Sequence, residues 1–181
     1  MRSIIFCCIP LLFIFCKNSS PKKNKILINQ TAENIQIIIK DQPVLNYWLQ
    51  PQLPDSTAAH YRRSGFIHPL YSPSGQILTD DFPVGHAHQH GFFMAWTNTT
   101  FRDSFVDFWN QQKGLGTVQH LAVVDTDQET DQVNFRVQLQ QQSSEHGPVL
   151  EETWDVQVSE GENIFIIDFI SEQINITSDT L

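Results

Sequence analysis

Val133-Asn134-Phe135-Arg136-Val137-Gln138-Leu139 alternates apolar and polar side chains without a break. A period of two sends successive side chains to opposite faces of an extended strand, so Val133, Phe135, Val137 and Leu139 define a core face and Asn134, Arg136 and Gln138 a wet one. The same period recurs in Leu150-Glu151-Glu152-Thr153-Trp154-Asp155-Val156-Gln157-Val158 and in Asn163-Ile164-Phe165-Ile166-Ile167-Asp168-Phe169-Ile170, with turn-forming stretches at 127–131, 143–148 and 159–162. Three long strands joined by short turns predict a meander, and its apolar face calls for a second sheet to cover it.

Upstream, Ile26-Leu27-Ile28, Ile35-Gln36-Ile37-Ile38-Ile39-Lys40 and Val44-Leu45-Asn46-Tyr47-Trp48-Leu49 are dense in β-branched and aromatic residues, with the turn Asp41-Gln42-Pro43 between the last two. Residues 50–64, interrupted by Pro51 and Pro54, read as a loop. Residues 65–71 and 76–79 read as the arms of a hairpin around Ser72-Pro73-Ser74-Gly75. A buried strand is expected over 92–97 and another over 104–109, with the polar stretch 98–103 linking them; Gly114 and Gly116 then permit a bend before a strand over 118–124. No stretch holds a dozen residues of helical period. The fold class is therefore all-β, an antiparallel β-sandwich of jelly-roll or galactose-mutarotase-like type. The last residues, Asp179-Thr180-Leu181, show no terminal feature, and the sandwich is expected to be incomplete there.

The 181 residues, 40% of them hydrophobic and 11% aromatic, suffice for one domain with a sizeable core. A formal charge of −9 argues against nucleic acid as a partner, since phosphate neutralisation needs clustered Lys and Arg, and the only adjacent basic pairs are Lys22-Lys23 and Arg62-Arg63. Residues 1–16, a basic start followed by an apolar run too short to span a bilayer, read as an export signal, and 17–25 as a polar tether before a single domain over 26–181. The three cysteines, Cys7, Cys8 and Cys16, all lie in the leader, so the domain has no disulfide. Cys16 followed by Lys17-Asn18-Ser19-Ser20 resembles a lipoprotein start. The expected location is the periplasm or cell envelope, with membrane contact only through the signal or a lipid on Cys16.

Chemistry concentrates in Asp80-Asp81-Phe82-Pro83-Val84-Gly85-His86-Ala87-His88-Gln89-His90-Gly91. Were this loop extended, His86, His88 and His90 would project to one side at intervals of roughly 6.5–7 Å. Three imidazoles so placed suit a divalent transition metal, closed by a partner such as His68, Asp80, Asp81, His120 or Glu152. Without a metal, His86 or His88 oriented by Asp80 or Asp81 could serve as a general acid or base. His68, Arg63, His90, Asp107 and Trp109 complete the expected ligand pocket, Arg63 either pairing with Asp80 or Asp81 or gripping a substrate carboxylate. Alternation places Trp96 and Trp154 in the core, whereas Trp109, followed by Asn110 and Gln111, is expected to wall the pocket. Nucleophile elbow, phosphate-binding loop, dinucleotide fingerprint and His-Glu-x-x-His are all missing.

Taken in order, Phe66-Ile67-His68-Pro69-Leu70-Tyr71-Ser72-Pro73-Ser74-Gly75, Asp81-Phe82-Pro83, His86-Ala87-His88-Gln89-His90-Gly91 and Val106-Asp107-Phe108-Trp109 resemble the bacterial DUF6807 family over roughly residues 45 to 170. Members read Asp-His-Pro-His-His before the glycine. His86 and His88 match that pattern, whereas Gly85, Ala87 and Gln89 depart from it. The resemblance implies a β-sandwich longer than this chain, associated with carbohydrate utilisation in secreting bacteria. The methane-oxygenase label many members carry implies a membrane-embedded copper enzyme, for which the chain has no apolar span beyond its leader. Three readings follow: an exported protein that binds or processes carbohydrate or another small molecule, a metal-dependent (copper, iron or zinc) oxidoreductase using the same histidines, and a non-catalytic surface binding module. Substrate, cofactor and oligomeric state stay open.

Overall fold

A computed structural model describes residues 26–181. The expected export signal, tether and lipid attachment at Cys16 lie outside the described residues. Ten strands form: β1 (Ile26–Gln30), β2 (Asn34–Ile39), β3 (Gln42–Trp48), β4 (Ile67–Leu70), β5 (Thr99–Phe101), β6 (Ser104–Val106), β7 (Gly116–Gln128), β8 (Gln132–Ser143), β9 (Gly147–Glu160) and β10 (Phe165–Asn175). They make two four-stranded antiparallel sheets, ordered β1-β2-β3-β4 and β10-β9-β8-β7, and a small β5-β6 hairpin. The sheets face each other across one core, so the chain is an antiparallel β-sandwich.

Alternation sets which face goes inside. In β8, Val133, Phe135, Val137 and Leu139 are buried, and the register pairs Val137 with Trp154 and Phe135 with Val156 on β9. From the opposite sheet β2 contributes Ile35, Ile37 and Ile39, and β3 contributes Val44, Leu45 and Tyr47. Tyr47 joins the two layers: its ring packs 5.6 Å from Phe135 and 5.8 Å from Trp154, and its hydroxyl lies 3.1 Å from His120 Nδ1 on β7. Burial and the nearby Glu152 carboxylate push the Tyr47 phenol up, while burial pulls His120 down to about 4. His120 is thus neutral at pH 7, and its Nδ1 shares a hydrogen bond with the Tyr47 hydroxyl.

Two expectations along the chain are corrected. Residues 92–97 do not form a buried strand: only Phe92 bridges, to Ile67, its partly exposed ring packing 4.9 Å from Phe169, while Met94 and Trp96 are exposed, Trp96 to 56%. The alternation there is real, but its outer face is only partly covered, by Phe92 against Phe169 and the Trp96 indole donating to Gln173, and Trp96 is not core. Trp154, by contrast, is fully buried. The stretch 98–103 is no linker either, since Thr99–Phe101 pairs with Ser104–Val106 across a two-residue turn in which Arg102 and Asp103 both take positive φ. Such turns favour Asn-Gly or Asp-Gly, so Arg-Asp gave no signal.

Candidate functional site

The β4 arm runs into residues 72–79, which fold back so that the Leu78 amide donates to the Leu70 carbonyl. Thr79 Oγ1 then receives the Leu70 amide and lies 3.0 Å from His68 Nδ1. The chain enters the histidine loop at Asp80 and leaves it at Gly91, whose amide donates to the Asp80 carbonyl at 2.7 Å; within it Asp81 bridges to His90. Loop ends joined in this way make residues 81–90 a closed unit. Gly91 locks that unit against β4: its φ is +63°, and a Cβ there would stand 2.3 Å from the Ile67 carbonyl oxygen. Only glycine permits that approach.

Inside the loop the backbone turns twice rather than extending. The His86 amide donates to the Pro83 carbonyl, and the Gln89 amide to the His86 carbonyl, both at 2.9 Å. The period of two therefore fails, and the three imidazoles do not converge. His90 is fully buried between Phe66, Phe82 and Phe93, with ring centroids at 5.3, 4.5 and 5.9 Å. Its Nδ1 meets Asp81 Oδ1 at 3.0 Å and its Nε2 meets Gln111 Oε1 at 2.9 Å. Gln111 Nε2 donates to the Arg62 carbonyl and to Thr117 Oγ1, which fixes its carbonyl toward His90. His90 Nε2 must then donate, and the Asp81–His90 contact holds a second proton. Wherever that proton sits, the pair is neutral overall, which suits burial. His90 is a strut tying the loop to residues 107–117, and the expectation that it serves as a metal or ligand contact is corrected: both its nitrogens are taken.

Arg63 is corrected in the same way. It is 1% exposed, donates to the Phe108 and Met94 carbonyls at 3.2 and 3.3 Å, and lies 4.2 Å from the Phe93 ring centroid. Burial pulls it down to about 9, with the Glu152 carboxylate opposing, so it is charged at neutral pH. It forms no ion pair with Asp80 or Asp81. Asp107 also works internally: Oδ1 receives the Trp109 and Asn110 amides, and Oδ2 the Thr97 hydroxyl. Glu152 is buried within the sandwich, where Oε1 accepts from Trp154 Nε1 and Ser171 Oγ, both at 2.6 Å, and Oε2 from Gln141.

What faces outward is a shorter set. His86 is exposed and His88 half-buried, their ring centroids 5.9 Å apart, and neither imidazole hydrogen-bonds to the protein among the described residues. Burial lowers the His88 pKa, reinforced by His86 and His90 and opposed by Asp107. His88 is accordingly a neutral imidazole at pH 7, able to accept a hydrogen bond or a proton, or to ligate a metal. Asp107 thus acts on His88 while capping the Trp109 amide, placing the histidine loop and the 107–110 turn in one neighbourhood. Trp109, 36% exposed, packs 4.4 Å from Phe93, beneath which lies Arg63. Asp80 is exposed, its Oδ1 receiving the Asp81 amide. No three His, Cys, Asp or Glu side chains are arranged to hold a metal among the described residues.

A model described as a family of unknown function, DUF6807, matches residues 34–181. The chain belongs to this family. No curated protein and no solved structure matches. Membership of DUF6807 accounts for the motif order around the loop and assigns no activity. Gln111, which sequence reasoning missed, is the residue on which the site's inner layer turns. In Asn110-Gln111-Gln112-Lys113 nothing distinguishes it from its solvated neighbours; only the fold makes it fully buried.

Proposed function

We propose that this DUF6807 member is an exported carbohydrate-binding protein whose ligand stacks on Trp109 and hydrogen-bonds to His86 and His88. The observation that carries the reading is that His86 and His88 have no hydrogen-bond partner among the described residues, while Asp107, which receives the Trp109 amide, acts on His88 and the Trp109 indole is backed by Phe93 and Arg63. A sugar ring offers an apolar face for the indole and hydroxyls for the imidazoles, so each group has something to do. Asp81, His90, Asp107 and Arg63 hold this surface in place from beneath. A screen of glycans for thermal stabilisation tests it. A saturating sugar at about 100 times its Kd should add about 2.7 kcal/mol, and Trp109→Ala and His88→Ala should each erase the shift, His88→Ala while leaving the unliganded Tm near wild type. A screen in which no glycan stabilises the protein, or in which both variants respond like wild type, sinks the proposal.

A second reading rests on the same imidazole pair, since two histidines can ligate copper or zinc with exogenous ligands filling the other positions. It lacks a third protein ligand among the described residues. Elemental analysis of untagged protein separates the two readings: a stoichiometric metal lost in His86→Ala would favour the second.

A further inference from the structure

A cleft of about 230 Å³ opens where the turn Ala59–Tyr61 meets the first residues of β7 and the last of β8. Its polar side chains are His60, Arg62, Thr117, Gln142, Ser143 and Ser144, and the rest of its wall is glycine and alanine. None of the lining residues is acidic, in a chain of formal charge −9. All of them precede β9 and β10.

The walls are held from behind. Gln111 Nε2 donates to the Arg62 carbonyl at 3.2 Å and to Thr117 Oγ1 at 3.0 Å, while its Oε1 is fixed on His90. The Ser144 amide and hydroxyl both donate to the Leu115 carbonyl, at 3.0 and 3.1 Å. Several side-chain groups of the cleft are nevertheless left uncommitted. Arg63, Arg102 and Arg136 spend their guanidinium groups on carbonyls or carboxylates, whereas that of Arg62 forms no hydrogen bond or ion pair among the described residues. Ser143 is 4% exposed; its hydroxyl accepts the Glu145 and His146 amides at 3.3 and 3.2 Å and gives its own proton to no group among the described residues. Gln142 Nε2 is taken by Gln140 at 2.7 Å, which leaves Oε1 as an acceptor. The His60 ring packs on Tyr61, with centroids 4.3 Å apart, and forms no hydrogen bond among the described residues.

We infer that this cleft binds a small hydroxylated carboxylic acid of the sugar-acid class, its carboxylate on Arg62 and Ser143 and its hydroxyls on His60, Gln142 and Ser144. The planar guanidinium fork fits a planar carboxylate through two parallel hydrogen bonds, and one permanent cation matches one negative charge. A dianion such as sulfate would bring a second charge with no second permanent cation among the lining residues to meet it. Amide and hydroxyl walls call for a ligand whose remaining surface is hydroxyls rather than hydrocarbon, since a buried donor or acceptor left unpaired is costly. The volume lies below the roughly 300–1,000 Å³ of sites for drug-sized ligands, and so suits a single sugar-sized unit. This site shares no residue with the surface of Trp109, His86 and His88, and stands whether or not that surface binds sugar.

Isothermal titration calorimetry of the whole protein with D-glucuronate, D-glucose and sulfate tests the assignment. Glucuronate should bind at least about tenfold tighter than glucose, which lacks the carboxylate, and than sulfate, which lacks the hydroxyls. Arg62→Gln should weaken glucuronate at least about tenfold, and Arg62→Lys should recover only part of that loss because it lacks the fork. The Arg62 side chain has no protein partner among the described residues, so both variants should melt like wild type. On the wild-type protein, glucuronate should slow hydrogen exchange at the amides of 115–117 and 143–146, a readout that needs no variant. No binding of glucuronate, equal affinities for the three probes, or an Arg62→Gln protein that binds glucuronate like wild type would each overturn the assignment. Glucuronate binding that Trp109→Ala abolishes and Arg62→Gln spares would place the acid on the outer surface, which also overturns the cleft and leaves the sugar reading of that surface standing.

Discussion

Gly91→Ala is the sharpest test of how the histidine loop is held. Alanine at a φ of +63° costs about 1–2 kcal/mol in backbone strain alone. The new Cβ would also stand 2.3 Å from the Ile67 carbonyl oxygen and 2.9 Å from His68 Cβ, so the loop exit must lift from β4. Lifting it breaks the pair of backbone hydrogen bonds between Ile67 and Phe92, at 2.9 and 3.0 Å, each contributing about 1 kcal/mol. The total is about 3–4 kcal/mol, or a Tm lower by roughly 10 °C for a domain of this size. Gly85→Ala is the matched control: its φ is +83°, but nothing lies within 4 Å of the added Cβ, so only the strain of about 1–2 kcal/mol applies. Urea denaturation of the two variants side by side reads the difference. If Gly91→Ala is no more destabilised than Gly85→Ala, the loop is not locked to β4 as described and the placement of His86 and His88 loses its foundation.

Other consequences can be checked in the same way. Gln111→Leu strands the His90 Nε2 proton in an apolar cage and should cost about 1–3 kcal/mol, whereas Asp81→Asn, whose amide can donate to a neutral His90 Nδ1, should cost less than Asp81→Ala; equal losses for Asn and Ala at 81 would refute the hydrogen-bond assignment. His120, held at about 4 when folded, takes up its proton near pH 6.5 when unfolded. The unfolded chain therefore binds more protons between those values, and stability should fall as pH drops from about 6.5 toward about 4. His120→Gln should flatten that fall in a series of urea midpoints, and a variant with an unchanged slope would show that His120 is not the group responsible. Finally, His86→Ala/His88→Ala should leave the unliganded Tm within about 1 kcal/mol of wild type, because neither imidazole supports the fold; a large loss would make the pair structural.

The long alternating strands were legible because a sandwich obeys a period of two wherever one face is buried. Val133 to Leu139 and Leu150 to Val158 read directly onto β8 and β9 for that reason. The same rule misled at residues 92–97, where the alternation is present and Phe93 is core, but Met94 and Trp96 on the other face stay exposed and only Phe92 pairs with a neighbouring strand. It misled again in the histidine loop, since Pro83 and Gly85 announce turns and turns destroy the period on which convergence of three imidazoles depended. Burial of polar side chains is the part least visible in sequence. His90, Gln111, Arg63 and Glu152 resemble surface residues by type, and each is buried because the tertiary structure supplies partners that local sequence does not name.

The histidine loop divides its labour between two layers. His86 and His88 are left without hydrogen-bond partners among the described residues, while His90 is consumed in holding the loop. Their freedom, on a loop fixed by Gly91 at one end and by the Asp81–His90–Gln111 chain within, is what preorganised binding requires: the contacting groups are uncommitted and the groups beneath them are not. The scaffold rather than the histidine count therefore identifies the surface to test, and substitutions beneath it should weaken ligand binding through misplacement even when they never touch the ligand.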